Sequence, residues 1–190
     1  MNKGRLEAFS DGVMAIIITI MVLEIKVPHD VSIEAIIKLG PVFLSYVISF
    51  IYVGIYWNNH HHLFQTVKKV DGKVLWSNLF LLFWLSLIPF AAGWMGENHF
   101  ASITVTLYGI ILFGCGFGYY VLTTTLLKNH DTESVIYKAV GNKFKERASL
   151  VLYILGIAVS NWYSFVAFGI FTIVAIMWLV PDNRIEKQLS

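Results

Sequence analysis

The chain has 190 residues, of which 57% are hydrophobic and 14% charged, and its mean hydropathy is +0.68. This composition is far too apolar for an ordinary soluble domain and indicates an integral membrane protein. The formal net charge is only +2, and no nucleic-acid partner is expected. The single cysteine, Cys115, excludes a disulfide framework or a cysteine-based metal site within one subunit.

Six apolar segments are candidates for membrane-spanning helices, for which a run of about eighteen apolar residues is typical. In chain order they cover residues 9–25, 39–59, 74–94, 103–127, 150–159 with its flanks, and 163–180. The stretch 148–180 is too long for one crossing at about 1.5 Å per residue, so the polar interruption at residues 160–162 predicts a hairpin. We therefore predict an all-α membrane protein in which residues 1–190 form one domain of six spans.

The first segment follows Lys3 and Arg5, as a signal peptide would. However, Asp11 lies within its apolar part, residues 24–28 offer no small-residue cleavage site, and further spans follow. We expect a retained helix.

Positive charge is distributed unevenly between the predicted loops. With the N-terminus inside, twelve lysines and arginines lie on the cytoplasmic side and only Lys26 and Lys38 on the other. The positive-inside rule therefore places both termini in the cytoplasm. The polar stretch 128–147 is predicted as a short amphipathic cytoplasmic helix whose charges are solvated.

The first helix carries an apolar stripe formed by Ile16, Ile20, Leu23 and Val27, which recur at helical spacing on one face. Thr19 lies beside this stripe. In lipid nearly every helix face is apolar, so the stripe alone favours packing over a pore.

A polar group precedes the stripe: Arg5 and Phe9 share a face, and Ser10 and Asp11 follow. Ionisable groups in a membrane helix are costly and usually face the bundle interior or a water-filled path. A carboxylate near a helix N-terminus is favoured by the macrodipole, which explains Asp11 without any function. It does not explain the presence of Arg5 and Ser10 beside it. Arg5 is expected to pair with Asp11, and Ser10 is expected to hydrogen-bond a neighbouring helix.

The inner end of the second span holds three successive histidines, His60, His61 and His62. Successive helical residues point about 100° apart, so the three cannot all reach one ion. Metal ligands on a helix favour i, i+3 or i, i+4 spacing, which is lacking here, so no metal centre is expected. One or two of these histidines are expected to hydrogen-bond the polar end of the first helix, with Asn78 of the third span as another partner.

Residues 114–118, Gly-Cys-Gly-Phe-Gly, are faintly similar to a carbonyl-lined potassium filter. They lie inside an uninterrupted span without a re-entrant helix before them. Gly114 and Gly118 are four residues apart, which is typical of close helix packing.

Three motifs stand out in the first half of the chain: Arg5-x-x-x-Phe9-Ser10-Asp11, Trp57-x-x-His60-His61-x-x-Phe64, and Asn78 with Pro89-Phe90. Together they resemble the endolysosomal potassium channel family (transmembrane protein 175) and its bacterial relatives. Animal members carry two six-span repeats, and this chain has room for one. It is therefore similar to the bacterial single-repeat type, which assembles as a tetramer.

The resemblance implies that four copies of the first helix line a pore without a carbonyl filter. It places the hydrophobic constriction on Ile16, with Ile20 and Leu23 as further narrow layers, and Thr19 as an influence on selectivity. A ring of apolar side chains can gate by dewetting, and partial dehydration favours potassium over sodium. The interhelical network that fixes these helices is implied to comprise Arg5, Phe9, Ser10, Asp11, Asn78 and either His60 or His61.

These inferences predict a homotetrameric, potassium-permeable channel in the bacterial plasma membrane. Its partners are the lipid bilayer, other copies of the chain and potassium ions, and no cofactor or enzymatic activity is expected. The alternative is a proton- or cation-coupled secondary transporter that uses Asp11 and His60 or His61. We find no paired repeats with broken helices, which disfavours this alternative.

Overall fold

The computed structural model describes residues 3–67, 70–129, 134, 136–137 and 143–179. Within these residues the chain is helical and contains no strand, which confirms the predicted all-α class. Eight helices are described: α1 Lys3–Leu23, α2 Ile33–Lys38, α3 Gly40–Gln65, α4 Gly72–Ser86, α5 Ile88–Glu97, α6 Ser102–Lys128, α7 Phe144–Ser160 and α8 Ser164–Leu179.

Four helical segments of the described chain are long and apolar enough to cross a membrane: α1, α3, α4 with α5, and α6. The apolar helix α8 has 16 residues and α7 has 17. At about 1.5 Å per residue each of these two reaches about 25 Å, just short of a hydrocarbon core of about 30 Å. The count of six spans therefore stays a prediction, in which the apolar part of α7 from Leu150 onward is the fifth span and α8 is the sixth.

The breaks between helices follow local sequence. A turn at residues 161–163 separates α7 from α8, next to the predicted hairpin at residues 160–162. The third predicted span is divided at Leu87, because Pro89 in the first turn of α5 has no backbone N–H to continue the ladder of α4. Half of the residues in the predicted amphipathic helix 128–147 lie outside the described residues, as do residues 1–2 and 180–190. The prediction that the charges of this stretch are solvated is wrong for Glu146, which is buried.

Helix α1 begins earlier than the hydropathy pattern predicts, at Lys3 rather than near Phe9. Asp11 therefore lies more than two turns inside the helix. The macrodipole acts mainly within the first turn, so it does not explain this carboxylate, contrary to the simplest interpretation of the sequence. Val27 lies beyond the end of α1, and the helical stripe ends at Leu23.

Helices α4 and α6 pack closely through the two glycines noted in the sequence. A Cβ atom at Gly114 would lie 2.2 Å from Cδ2 of Trp84, and one at Gly118 would lie 3.0 Å from Cα of Leu81. The missing side chains let the helices approach, which is the packing role expected of a small-residue pair.

Gly114→Ala is expected to lower the thermal stability of the protein, because the partly buried Trp84 indole must move to admit the new methyl group. Overpacking of this kind costs roughly 1–3 kcal/mol. The matched control is Gly54→Ala in α3, where a Cβ atom meets nothing within 4 Å. Thermal unfolding of the purified variants measures both effects, and equal melting temperatures would contradict the packing role of Gly114.

Candidate functional site

Helix α1 has two distinct faces. Its buried face holds Leu6, Ser10, Met14, Ile17 and Met21, at spacings of three and four residues. Its outward face exposes Phe9, Ile16, Thr19, Ile20 and Leu23. In its most apolar stretch 28% of the residues are buried, against 56% in α6. The stripe predicted from spacing thus faces away from the subunit, on the least enclosed of the four candidate spans.

A relay of buried hydrogen bonds joins three helices behind this outward face. Asn78 of α4 donates its amide N–H to the hydroxyl of Ser10 in α1, at 2.9 Å. Its amide oxygen therefore faces His60 of α3, whose Nε2 lies 2.8 Å away and must donate. Ser10 in turn donates to the carbonyl of Leu6 at 2.9 Å. Each residue of the relay therefore donates to the next, from His60 in α3 through Asn78 in α4 to Ser10 in α1.

The relay is enclosed by protein. Ser10 is 0%, His60 1% and Asn78 2% exposed, and the His60 ring lies 4.5 Å from that of Phe64. A buried polar group left without its partner costs about 1–3 kcal/mol. Because each member satisfies the next, the relay fixes the rotation of α1 about its axis as well as its position.

A second, more exposed contact ties α1 to α3. The Trp57 indole N–H donates to Oδ1 of Asp11 at 3.0 Å. The His61 ring stacks on the Trp57 ring, with centroids 6.1 Å apart and planes tilted by 16°, and Nε2 of His61 lies 2.8 Å from the Gln65 amide nitrogen. His60 and His61 therefore occupy different branches of the α1–α3 contact. Sequence reasoning missed Trp57 as the partner of Asp11, although its i, i+4 spacing from His61 is a usable signal.

Arg5 and Phe9 make no such contact within one chain. Phe9 is 55% exposed, and Arg5 is exposed with no hydrogen bond or ion pair to any described residue. The expected pairing of Arg5 with Asp11 is therefore not formed inside the subunit. The Thr19 hydroxyl donates to the carbonyl of Ile16 at 2.9 Å, within its own helix.

An open cleft of about 550 Å³ runs between α1 and the α4–α5 segment. Ile16, Ile20 and Glu24 line it from α1 and the residue that follows it, and Phe90, Trp94 and Glu97 line it from α5. Lys26 forms an ion pair with Glu97, and this partner raises the pKa of Lys26. The ion pair ties the segment after α1 to the end of α5.

No group of three or more histidine, cysteine, aspartate or glutamate residues that could hold a metal is present among the described residues. The three successive histidines diverge: His60 enters the relay, His61 stacks on an indole, and Nδ1 of His62 is buried without a described hydrogen-bond partner.

Several apolar spans, with one lightly enclosed helix anchored by buried polar groups, define a multi-pass membrane protein. Residues 5–89 match the family described as endosomal/lysosomal potassium channel TMEM175. A potassium channel of Chryseobacterium sp. (strain P1-3) is 56% identical over 190 residues, covering 100% of this chain and 99% of that relative. The chain therefore belongs to the TMEM175 family, which confirms the resemblance stated from its motifs.

Two further relatives define the extent of the similarity. The crystal structure of a lysosomal potassium-selective channel TMEM175 homolog from Chamaesiphon minutus matches with a TM-score of 0.82 and 27% identity, covering 93% of this chain and 96% of that one. The endosomal/lysosomal proton channel TMEM175 of Gallus gallus is 33% identical over 150 residues, which are 70% of this chain and 30% of that relative. Membership of this family makes the protein a membrane cation channel and not an enzyme, and no cofactor is expected. The comparisons do not support a secondary transporter.

Proposed function

We propose that four copies of the chain form a potassium channel of the bacterial plasma membrane, in which α1 of each subunit lines the pore. The bacterial relative that matches along the whole chain is named a potassium channel. One pore-lining helix per subunit requires several copies around a common axis. The observation that carries the proposal is the outward apolar face of α1, held in place from behind by the His60–Asn78–Ser10 relay.

The proposed constriction consists of Ile16 first, then Ile20 and Leu23. These side chains are 59%, 42% and 78% exposed in one subunit, so they are free to face an axis shared with other copies. A ring of such side chains can close a pore by dewetting. An ion that passes must lose part of its hydration shell, which favours the more weakly hydrated potassium ion over sodium. Thr19 adds a hydroxyl beside the ring.

The polar residues of the inner end have a supporting role in this proposal. Ser10, Asn78 and Nε2 of His60 hydrogen-bond one another and the carbonyl of Leu6, so these groups hold α1 rather than bind the ion. Asp11 joins them through Trp57. The exposed Arg5 and Phe9 remain for contacts with a neighbouring subunit.

The proposed membrane arrangement has six spans per subunit, with both termini in the cytoplasm and residues 1–190 as one domain. It places twelve of the fourteen lysines and arginines on the cytoplasmic side. In this arrangement Lys26, Glu24 and Glu97 lie at the outer mouth, and Trp57 and His61 at the inner one.

Potassium flux into liposomes that contain the purified full-length protein tests the function. We expect potassium to run down its gradient at equal pH on both sides, faster than sodium under the same gradient. Protein-free liposomes are the control, and light scattering of the detergent-solubilised protein gives the subunit number. A channel is contradicted by no flux above the control, or by flux that stops without a proton gradient.

A further inference from the structure

A second buried polar group lies away from α1, where α3, α6, α7 and α8 meet. It surrounds a cavity of about 20 Å³. One water molecule needs roughly 10–15 Å³ on the same measure, so the cavity admits a water. Its polar lining includes the side chains of Tyr52, Tyr56, Tyr153, Glu146, Ser149 and Trp178.

Glu146 is the ionisable acid of this cavity. It lies in the first turn of α7 and is only 7% exposed. Its Oε1 lies 3.0 Å from the Thr123 hydroxyl, whose single proton is shared with the carbonyl of Tyr120 at 3.1 Å. Its Oε2 is buried without a hydrogen-bond partner among the described residues. A buried carboxylate so weakly compensated is expected to take up a proton rather than keep its charge.

Several polar side chains around the cavity already have hydrogen-bond partners. The Tyr52 hydroxyl donates to the carbonyl of Phe171, and the side chains of Tyr56 and Tyr153 line the same cavity. The Trp178 indole N–H donates to Ser149 at 2.8 Å, and Ser149 donates to the carbonyl of Lys145 at 2.8 Å. A cavity of about 20 Å³ with one carboxylate among its described lining residues is too small and too weakly charged to hold a metal cation with its ligands. A proton, which needs one carboxylate oxygen and one acceptor, fits the cavity.

Charged groups near Glu146 come from its own end of α7. Lys143 and Arg147 both favour the ionised carboxylate, but Lys143 is bonded to the Thr124 hydroxyl and lies 4.4 Å from the centroid of the Tyr120 ring. Burial is the larger effect and raises the pKa of Glu146 to about 7. Glu146 lies four residues before Leu150, where the fifth predicted span begins. The other titratable groups that face the cavity are tyrosines, Tyr52 and Tyr56 from α3, Tyr119 from α6 and Tyr153 from α7, and α8 contributes the indole of Trp178.

We propose that Glu146 is a proton-binding site of each subunit, separate from the α1 path and reached from the cytoplasmic side. The proton comes from cytoplasmic water and binds Oε2, which then donates to a water in the cavity. Binding neutralises the one carboxylate among the described residues that line the cavity, and lets α7 dock against α3, α6 and α8 without a buried charge.

The direction of the pH effect follows from linkage. The ordinary pKa of the group is 4.5, below its value in the folded protein. The stabilisation from burying the neutral acid is therefore complete below about pH 4.5 and is lost as the pH rises through about 7. Acidification of the cytoplasm tightens the docking of α7, and alkalinisation loosens it.

Infrared spectroscopy of the full-length protein in lipid tests the site without any ion flux. We expect a carbonyl band of a protonated carboxylic acid that disappears with a midpoint near pH 7. Glu146→Gln, which mimics the neutral acid in size and charge, is expected to lack this band. Glu34→Gln, at an exposed acid of α2, is the matched control and is expected to keep it. A band that survives in Glu146→Gln overturns the assignment, as does a wild-type protein without a titrating band.

A second pair of variants keeps the carboxyl group in place. Lys143→Gln removes a cation that favours the charged form, so the midpoint is expected to move to higher pH. Lys145→Gln removes a cation that lies 5.8 Å from the ring centroid of Trp178, and it is expected to leave the midpoint unchanged. Equal midpoints in the two variants would show that the titrating acid is not Glu146. Because no step measures conduction, failure here leaves the proposed channel function untouched.

Discussion

Replacing Ile16 with asparagine is expected to abolish most of the preference for potassium over sodium and to raise the total ion flux. Four amide groups in the proposed ring would hydrate the constriction and remove the dewetting barrier. Lowering a barrier by about 1.4 kcal/mol raises a rate about tenfold, and we expect an increase of at least that size. The Ile16 side chain is 59% exposed in the subunit, so the substitution leaves the subunit core intact.

The matched control for this experiment is Val22→Asn. Val22 lies on the same helix and is 46% exposed, but its spacing from Ile16 places it well off the Ile16–Leu23 stripe. We expect it to conduct with the wild-type ion preference. Potassium and sodium flux into liposomes, measured under equal gradients for each variant, separates the two. An unchanged ion preference in Ile16→Asn would remove this residue from the constriction, and an equal change in both variants would indicate a general loosening of α1.

The residues that sequence reasoning placed well are those whose physics is local. The spacing of Ile16, Ile20 and Leu23 defines one helix face wherever that helix sits, and the structure turns this face outward. The break after residue 160 follows from three polar or bulky residues in an apolar run. The family resemblance rests on the motif around Ser10 and on residues such as His60, which are individually costly in a membrane.

The features that the sequence did not predict depend on how each helix packs against other helices. Lipid and protein interior are about equally apolar, so hydropathy cannot tell a lipid-facing stripe from a packed one. It also missed the true start of α1, because the first turns carry Lys3, Arg5 and Glu7, which lower the local hydropathy while remaining helical. Glu146 was assigned to a solvated polar stretch. Its burial arises only because α7 packs against a tyrosine cluster on other helices.

Asn78→Leu is expected to destabilise the protein by about 2–4 kcal/mol and to reduce the fraction that assembles. Leucine is similar in size, so little of this cost comes from a cavity. The loss comes from the His60 N–H, which is buried without an acceptor, and from the Ser10 hydroxyl, which loses its donor. Thermal unfolding and light scattering of the purified variant measure both effects. Asn98→Leu is the matched control, because Asn98 is exposed and donates only to the carbonyl of Trp94 on its own helix.

The double variant His60→Phe with Asn78→Leu separates a supporting relay from an ion site. Replacing both partners of a buried hydrogen bond by apolar groups of similar shape is much less costly than removing one, and Phe64 already provides an aromatic neighbour. The double variant is therefore expected to recover much of the stability lost in Asn78→Leu and, if the relay only holds α1 in place, to recover potassium flux with it. Recovered stability without flux would mean that His60 or Asn78 contacts the permeating ion. The loss of stability in the double variant is compared with the losses in Asn78→Leu and His60→Phe alone. If it equals their sum, the two side chains are not coupled, and the relay is not what fixes α1.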